Sequence, residues 1–140
     1  MPPPRTFLII DDNADSRFLL VKTLLRKFPQ AVLQETQDGE SALALVRSQH
    51  LDAAIVHRAA DVDGITLIRL LRQESPALPV VMVSGVDRSR PALEPGATTF
   101  LSYEAWLRIG TVVAEILAAK DGAPTPATAS EPNVAARSER

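Results

Sequence analysis

Apolar residues follow two alternating patterns along this chain. Short continuous runs suit strands covered on both faces, and between them lie segments whose apolar positions recur every three or four residues, as in helices. Phe7-Leu8-Ile9-Ile10 marks a first strand over 6–10. A first helix is predicted over 14–28, with Phe18, Val21, Leu24, Leu25 and Phe28 at helical spacing and Pro29 as the stop. Residues 31–36 alternate in character and predict a second strand near a sheet edge. Asp38-Gly39 turns into a helix over 40–49, with Ala42, Leu43 and Val46 inward. A third strand over 53–56 is introduced by Leu51-Asp52. A loop over 61–64 leads into a third helix, 65–74, carrying Ile65, Leu67, Ile68 and Leu71, and Pro76 ends it. The most apolar stretch, 79–83, is a fourth strand. Pro91 and Pro95 allow at most a short helix in 85–95. A fifth strand over 98–101 precedes a last helix over 104–120, with Trp106, Val113, Ile116 and Leu117 inward and Asp121-Gly122 as its end.

Strict strand–helix alternation predicts an α/β fold. Right-handed crossovers then build a five-stranded parallel sheet with helices on both faces. In such sheets function gathers at the carboxyl ends of the strands. Those ends carry Asp11, Asp12 and Asn13, then His57 and Arg58, then Ser84 and Gly85, then Ser102 and Tyr103.

Composition narrows the function classes. The 140 residues are 46% hydrophobic and 23% charged, with a net charge of -2. That balance suits one globular domain and offers no electrostatic attraction to nucleic acid or an anionic membrane. The absence of cysteine excludes disulfides, thiolate metal sites and cysteine nucleophiles. No apolar stretch approaches the roughly 18–20 residues of a membrane span. The start, Met1-Pro2-Pro3-Pro4-Arg5, lacks the apolar region of a signal peptide, so a cytoplasmic location is expected. From Asp121 the chain reads DGAPTPATASEPNVAARSER, which has too little apolar surface to offset its ordering entropy. The expected organisation is a folded domain over 5–120 and a disordered tail over 121–140.

Several cues coincide with one family. They are Ile10-Asp11-Asp12-Asn13, Asp38-Gly39-Glu40-Ser41-Ala42-Leu43, Leu51-Asp52, Asp63-Gly64, Pro79-Val80-Val81-Met82-Val83-Ser84-Gly85 and Gly96-Ala97-Thr98-Thr99-Phe100-Leu101. In this order they resemble the response-regulator receiver domain, the phosphoacceptor module of two-component signalling. The resemblance covers about residues 5–120 and implies a flavodoxin-like three-layer sandwich with strand order 2-1-3-4-5. It also implies a chemistry. Two acids hold Mg²⁺, and a third aspartate, ending strand three, attacks the phosphoryl group of a partner's phosphohistidine. A Ser or Thr after strand four and a Lys after strand five bind the transferred oxygens. A carboxylate can attack phosphorus only if cations neutralise the gathering negative charge.

Asp11 and Asp12 match the acidic pair of that pattern and Ser84 matches the hydroxyl. The acceptor position falls on His57 and the lysine position on Tyr103. Phe100 stands where the family often has a switch aromatic. The family's Met-Pro after the acceptor is absent, and the segment from Ser84 to Gly96 is short, so the fourth helix should be stunted. The resemblance therefore implies a degenerate, non-enzymatic member that does not use an aspartyl phosphate. It is expected to stand alone, without an output domain. It would act by protein–protein contact with a histidine kinase or another regulator, or as a homodimer through the last strand and helix.

Each residue has a plainer reading beside the functional one. Asp11 and Asp12 either hold Mg²⁺ or serve as a partly solvated remnant and a cap for the first helix. His57 either fills the old acid site, paired with Asp11 or Asp12, or forms a pH-sensitive latch as an imidazolium between two carboxylates, or is itself phosphorylated. A receiver with an unusual acceptor would use His57, Asp61 or Asp63, although Asp63 reads as a helix cap. A Mg²⁺-dependent phosphohydrolase is a distant alternative with Asp11 as nucleophile. Ser84 reads as a loop hydroxyl when no phosphoryl group arrives, and Phe100 as a buried core ring. Arg88 and Arg90 are candidate replacement cations or simply solvated. Tyr103 and Trp106 either seal the core or shape a partner face, and His50 is a solvated helix-end residue.

Overall fold

The computed structural model describes residues 4–84 and 98–121, with the side chains of Tyr103 and Glu104 outside that description. Five strands form one parallel sheet: β1 (Thr6–Asp11), β2 (Val32–Thr36), β3 (Ala53–Arg58), β4 (Val80–Ser84) and β5 (Thr99–Ser102). Their order is β2-β1-β3-β4-β5, which puts β2 at an edge, as its mixed pattern predicts. Helices α1 (Ala14–Lys27), α2 (Gly39–Ser48) and α3 (Gly64–Glu74) follow the first three strands. After β5 comes a 3-10 turn, Tyr103–Arg108, and then α4, Ile109–Lys120.

The pleat divides the strand residues between two cores. Leu8, Ile10, Ala54, Val56, Val80 and Met82 pack with Leu67, Ile68 and Leu71 of α3. Phe7, Ile9, Ala53, Ile55, Val81 and Val83 pack with Leu20 and Leu24 of α1 and with Ile109, Val113 and Leu117 of α4. Because both faces are covered, the inner strands read as unbroken apolar runs. Where α1 and α4 meet, a Cβ on Gly110 would lie 2.8 Å from Lys27 Cβ. Gly110→Ala should therefore cost about 1–3 kcal/mol of overpacking, against about 1 kcal/mol gained in helix propensity. A net fall in melting temperature is the expected outcome, read by circular dichroism.

Three expectations are corrected here. Phe18 does not face the core: it is 58% exposed, and α1 turns Ser16, Leu20, Thr23 and Leu24 inward instead. Two faces of α1 carried apolar residues, and contact with the sheet and α4 selected the one bearing Leu20 and Leu24. The last helix is not continuous from residue 104, because Ala105 is non-helical (φ -104, ψ 20) and separates the 3-10 turn from α4. The third strand runs on past Val56 through His57 to Arg58. The expected stunted helix in 85–95, with Gly85, Arg88, Pro91 and Pro95, lies outside the described residues, as does the tail from 122.

Candidate functional site

The site is built by the ends of β1, β3 and β4 around a cleft of about 710 Å³. Asp12, Asn13, His57, Arg58, Asp63 and Ser84 all line it. A break in the β1–β3 register sets its geometry. Ile10 pairs with Val56, but Asp11 pairs with Arg58, so His57 is an extra residue in β3. Bulges of this kind re-aim a side chain, and this one accompanies a direct contact between β3 and the acid on β1.

Asp11 is fully buried, not the partly solvated remnant that the sequence suggested. Its Oδ1 accepts from the Asn13 amide at 3.0 Å. Its Oδ2 accepts from the Ser16 hydroxyl and lies 2.9 Å from His57 Nδ1. Burial alone would raise the Asp11 pKa. The bonds from His57, Ser16 and the Asn13 amide outweigh it, and the carboxyl titrates below the usual range. The Asp11 carbonyl also accepts from Arg17 Nη1 at 2.7 Å.

Asp12 does not cap α1. Asn13 does so, through Oδ1 to the Ser16 amide at 2.9 Å, because it is the residue standing three before that amide. Asp12 turns to Arg58, whose Nε lies 3.1 Å from Oδ1. Ser84 is nearly buried at the end of β4. Phe100 is partly buried against the core that holds Met82. Trp106 packs partly buried against the opposite core. Tyr103 opens the 3-10 turn, but its side chain lies outside the described residues. His50 is largely exposed, with Nε2 3.2 Å from Asp52 Oδ1.

The two other candidate acceptors are both occupied with helix starts. Asp63 caps α3, accepting from the Ile65 and Thr66 amides at 3.0 and 3.3 Å. Asp61 lies across the loop at α2 and accepts from the Gly39 amide at 2.7 Å and the Glu40 amide at 3.3 Å. Those amides hold its carboxyl below the usual range, that of Gly39 most.

Sequence reasoning placed Arg58 at this edge without its partner, and it missed Ser16 and Arg17 as members of the site. Ser16 had a legible signal: it stands one and two turns before Leu20 and Leu24, a polar residue on the face that proved inward. Arg17 had none, and neither did the pairing of Arg58 with Asp12, since an arginine shows its partner only in three dimensions.

The residues do not fit the Mg²⁺ that the family resemblance implies. Mg²⁺ asks for near-octahedral oxygen ligands from carboxylates. Here an imidazole stands against Asp11, which already accepts from three donors, and Asp12 is engaged by Arg58. No group of three or more His, Cys, Asp or Glu residues able to hold a metal occurs among the described residues.

The strand order and the acidic cleft at the carboxyl edge define a doubly wound α/β module, and comparison with known proteins names its family. The sequence matches the response regulator receiver domain over residues 7–104, and the chain belongs to that family. Stress response regulator protein 1 of Debaryomyces hansenii is 30% identical over 89 residues, 63% of this chain and 37% of that protein. The transcriptional regulatory protein ZraR of Escherichia coli is 32% identical over 98 residues, 67% of this chain and 22% of that protein. This chain thus spans well under half the length of these relatives. A CheY-like receiver domain from Methanospirillum hungatei superposes with a TM-score of 0.77 at 18% identity, covering 86% of this chain and 98% of that one. At that identity the match speaks for the fold alone. The chain is a receiver domain of the response-regulator kind found in two-component signalling. Among the described residues, no helix is long and apolar enough to cross a membrane.

Proposed function

We propose that this receiver domain regulates by protein–protein contact without forming an aspartyl phosphate, and that it is not an enzyme. One observation carries the reading. The residue near the end of β3 that falls on the acceptor position is His57, and its Nδ1 lies 2.9 Å from the buried Asp11 carboxylate. The oxygen nucleophile is gone, and the acid that would help to hold the metal is tied to its replacement. Asp61 and Asp63 are poor substitutes, since Asp61 gives both oxygens, and Asp63 its Oδ2, to the first amides of a helix. The output of such a domain then depends on which surfaces it presents. The last strand and helix, presented to a kinase, to another regulator or to a second copy, are the surfaces we assign to that role.

Incubation with acetyl phosphate and Mg²⁺, followed by intact mass measurement, tests the reading. The expected result is an unchanged mass. Stable addition of one phosphoryl group would overturn it, and its loss in His57→Gln would place that group on the imidazole.

A further inference from the structure

The two acids at the end of β1 are each met by one of two successive residues of β3. His57 Nδ1 lies 2.9 Å from Asp11 Oδ2, and Arg58 Nε lies 3.1 Å from Asp12 Oδ1. A second guanidinium stands close by: Arg17 donates from Nη1 to the Asp11 carbonyl at 2.7 Å and from Nε to Glu35 at 3.1 Å. The remaining acid on the cleft, Asp63, is turned to the α3 amides.

From this arrangement we propose that His57 and Arg58 take the place of the divalent cation in this site, so that the cleft does not bind Mg²⁺ and needs none to hold its acidic pair. Two carboxylates brought together at a strand end repel, and a folded chain must answer that repulsion with an ion or with its own groups. Here the register break supplies the groups. By adding one residue to β3, it brings His57 to Asp11 while Arg58 keeps its pairing opposite β1. A dication entering the cleft would have to displace Arg58 from Asp12. It would also have to take the Asp11 carboxylate away from three donors, one of them a ring nitrogen that makes a poor Mg²⁺ ligand. The inference rests on the same replacement at position 57 as the reading above, but it concerns the metal and not the phosphoryl group. The two fail separately: a phosphoryl group added to a chain that binds no metal sinks only the first.

Mn²⁺ serves as the probe, added to the full chain and followed by electron paramagnetic resonance, with Mg²⁺ as competitor. The wild type should show no saturable binding at millimolar metal. The variant His57→Asp/Arg58→Ala, which returns a third acid and releases Asp12, should bind at least about tenfold more tightly and be reversed by Mg²⁺. Wild-type binding equal to that of the variant would overturn the proposal. So would a folded variant that fails to bind. A second measurement covers a variant that does not fold. In metal-free buffer, Asp12→Asn should leave the wild-type melting temperature unchanged or lower it, because Asp12 is already neutralised by Arg58. A raised melting temperature would reveal unanswered repulsion between the acids and end the proposal.

Discussion

Asp11→Ala should lower unfolding free energy at neutral pH by about 3–5 kcal/mol, the cost of removing one partner from a buried charged network. The carboxylate is fully buried and accepts from three donors. Its loss removes one acceptor from the Ser16 hydroxyl, the Asn13 amide and the His57 ring together, and weakening the bonding of buried donors costs about 1–3 kcal/mol. Acid should then narrow the gap between wild type and variant. The folded-state pKa of Asp11 is lowered, so its contribution is complete above the unfolded carboxyl value and is lost as pH falls through the folded one. Urea denaturation should show a large difference at pH 7 that begins to shrink below about pH 4. A difference that stays constant through that range would mean the carboxylate charge contributes nothing. Asp63→Ala is a useful contrast on the same cleft. It removes a helix cap, worth about 1 kcal/mol.

Phe7→Ala should be comparably severe for an unrelated reason. Phe7 is 0% exposed in the core shared by α1 and α4. Its ring meets Phe28 edge-on, with centroids 5.0 Å apart and planes at 72°. Truncating a buried Phe costs about 3–5 kcal/mol in lost transfer energy and cavity, and the edge-to-face pair is part of that. A fall in melting temperature of roughly 15 °C is expected for a domain of this size. Phe7→Leu, which keeps most of the volume, should cost about 1 kcal/mol. Equal losses for the two variants would show that the ring–ring contact, and not the filled volume, is what matters. Unlike Asp11→Ala, neither should change its deficit with pH.

Much of this molecule could be read from the residue pattern. The strands were legible because both faces of the sheet are covered, so Phe7-Leu8-Ile9-Ile10 and Val80-Val81-Met82-Val83 admit no polar residue. Helix starts at Asp38 and Asp63 and the stop at Pro29 follow from local chemistry, since a side-chain oxygen three residues ahead of an orphan amide needs no tertiary partner to be recognised. That His57 lies at the carboxyl end of β3 was readable too, because linear spacing from Asp52 sets which residues reach that edge.

What the sequence determined by itself was therefore everything governed by period and by short-range hydrogen bonding: the element order, the parallel sheet, and which residues reach its carboxyl edge. Only the tertiary structure decided whom those residues meet. It sent Phe18 to solvent and Leu20 to the core, buried Asp11 instead of leaving it half-solvated, gave Asp12 to Arg58 and not to a helix cap, and drew Ser16 into the acid's shell. The reason is physical. A helix with apolar residues on two faces has no internal preference between them, and a charged side chain has many equivalent partners until packing brings one within 3 Å and excludes water from the rest.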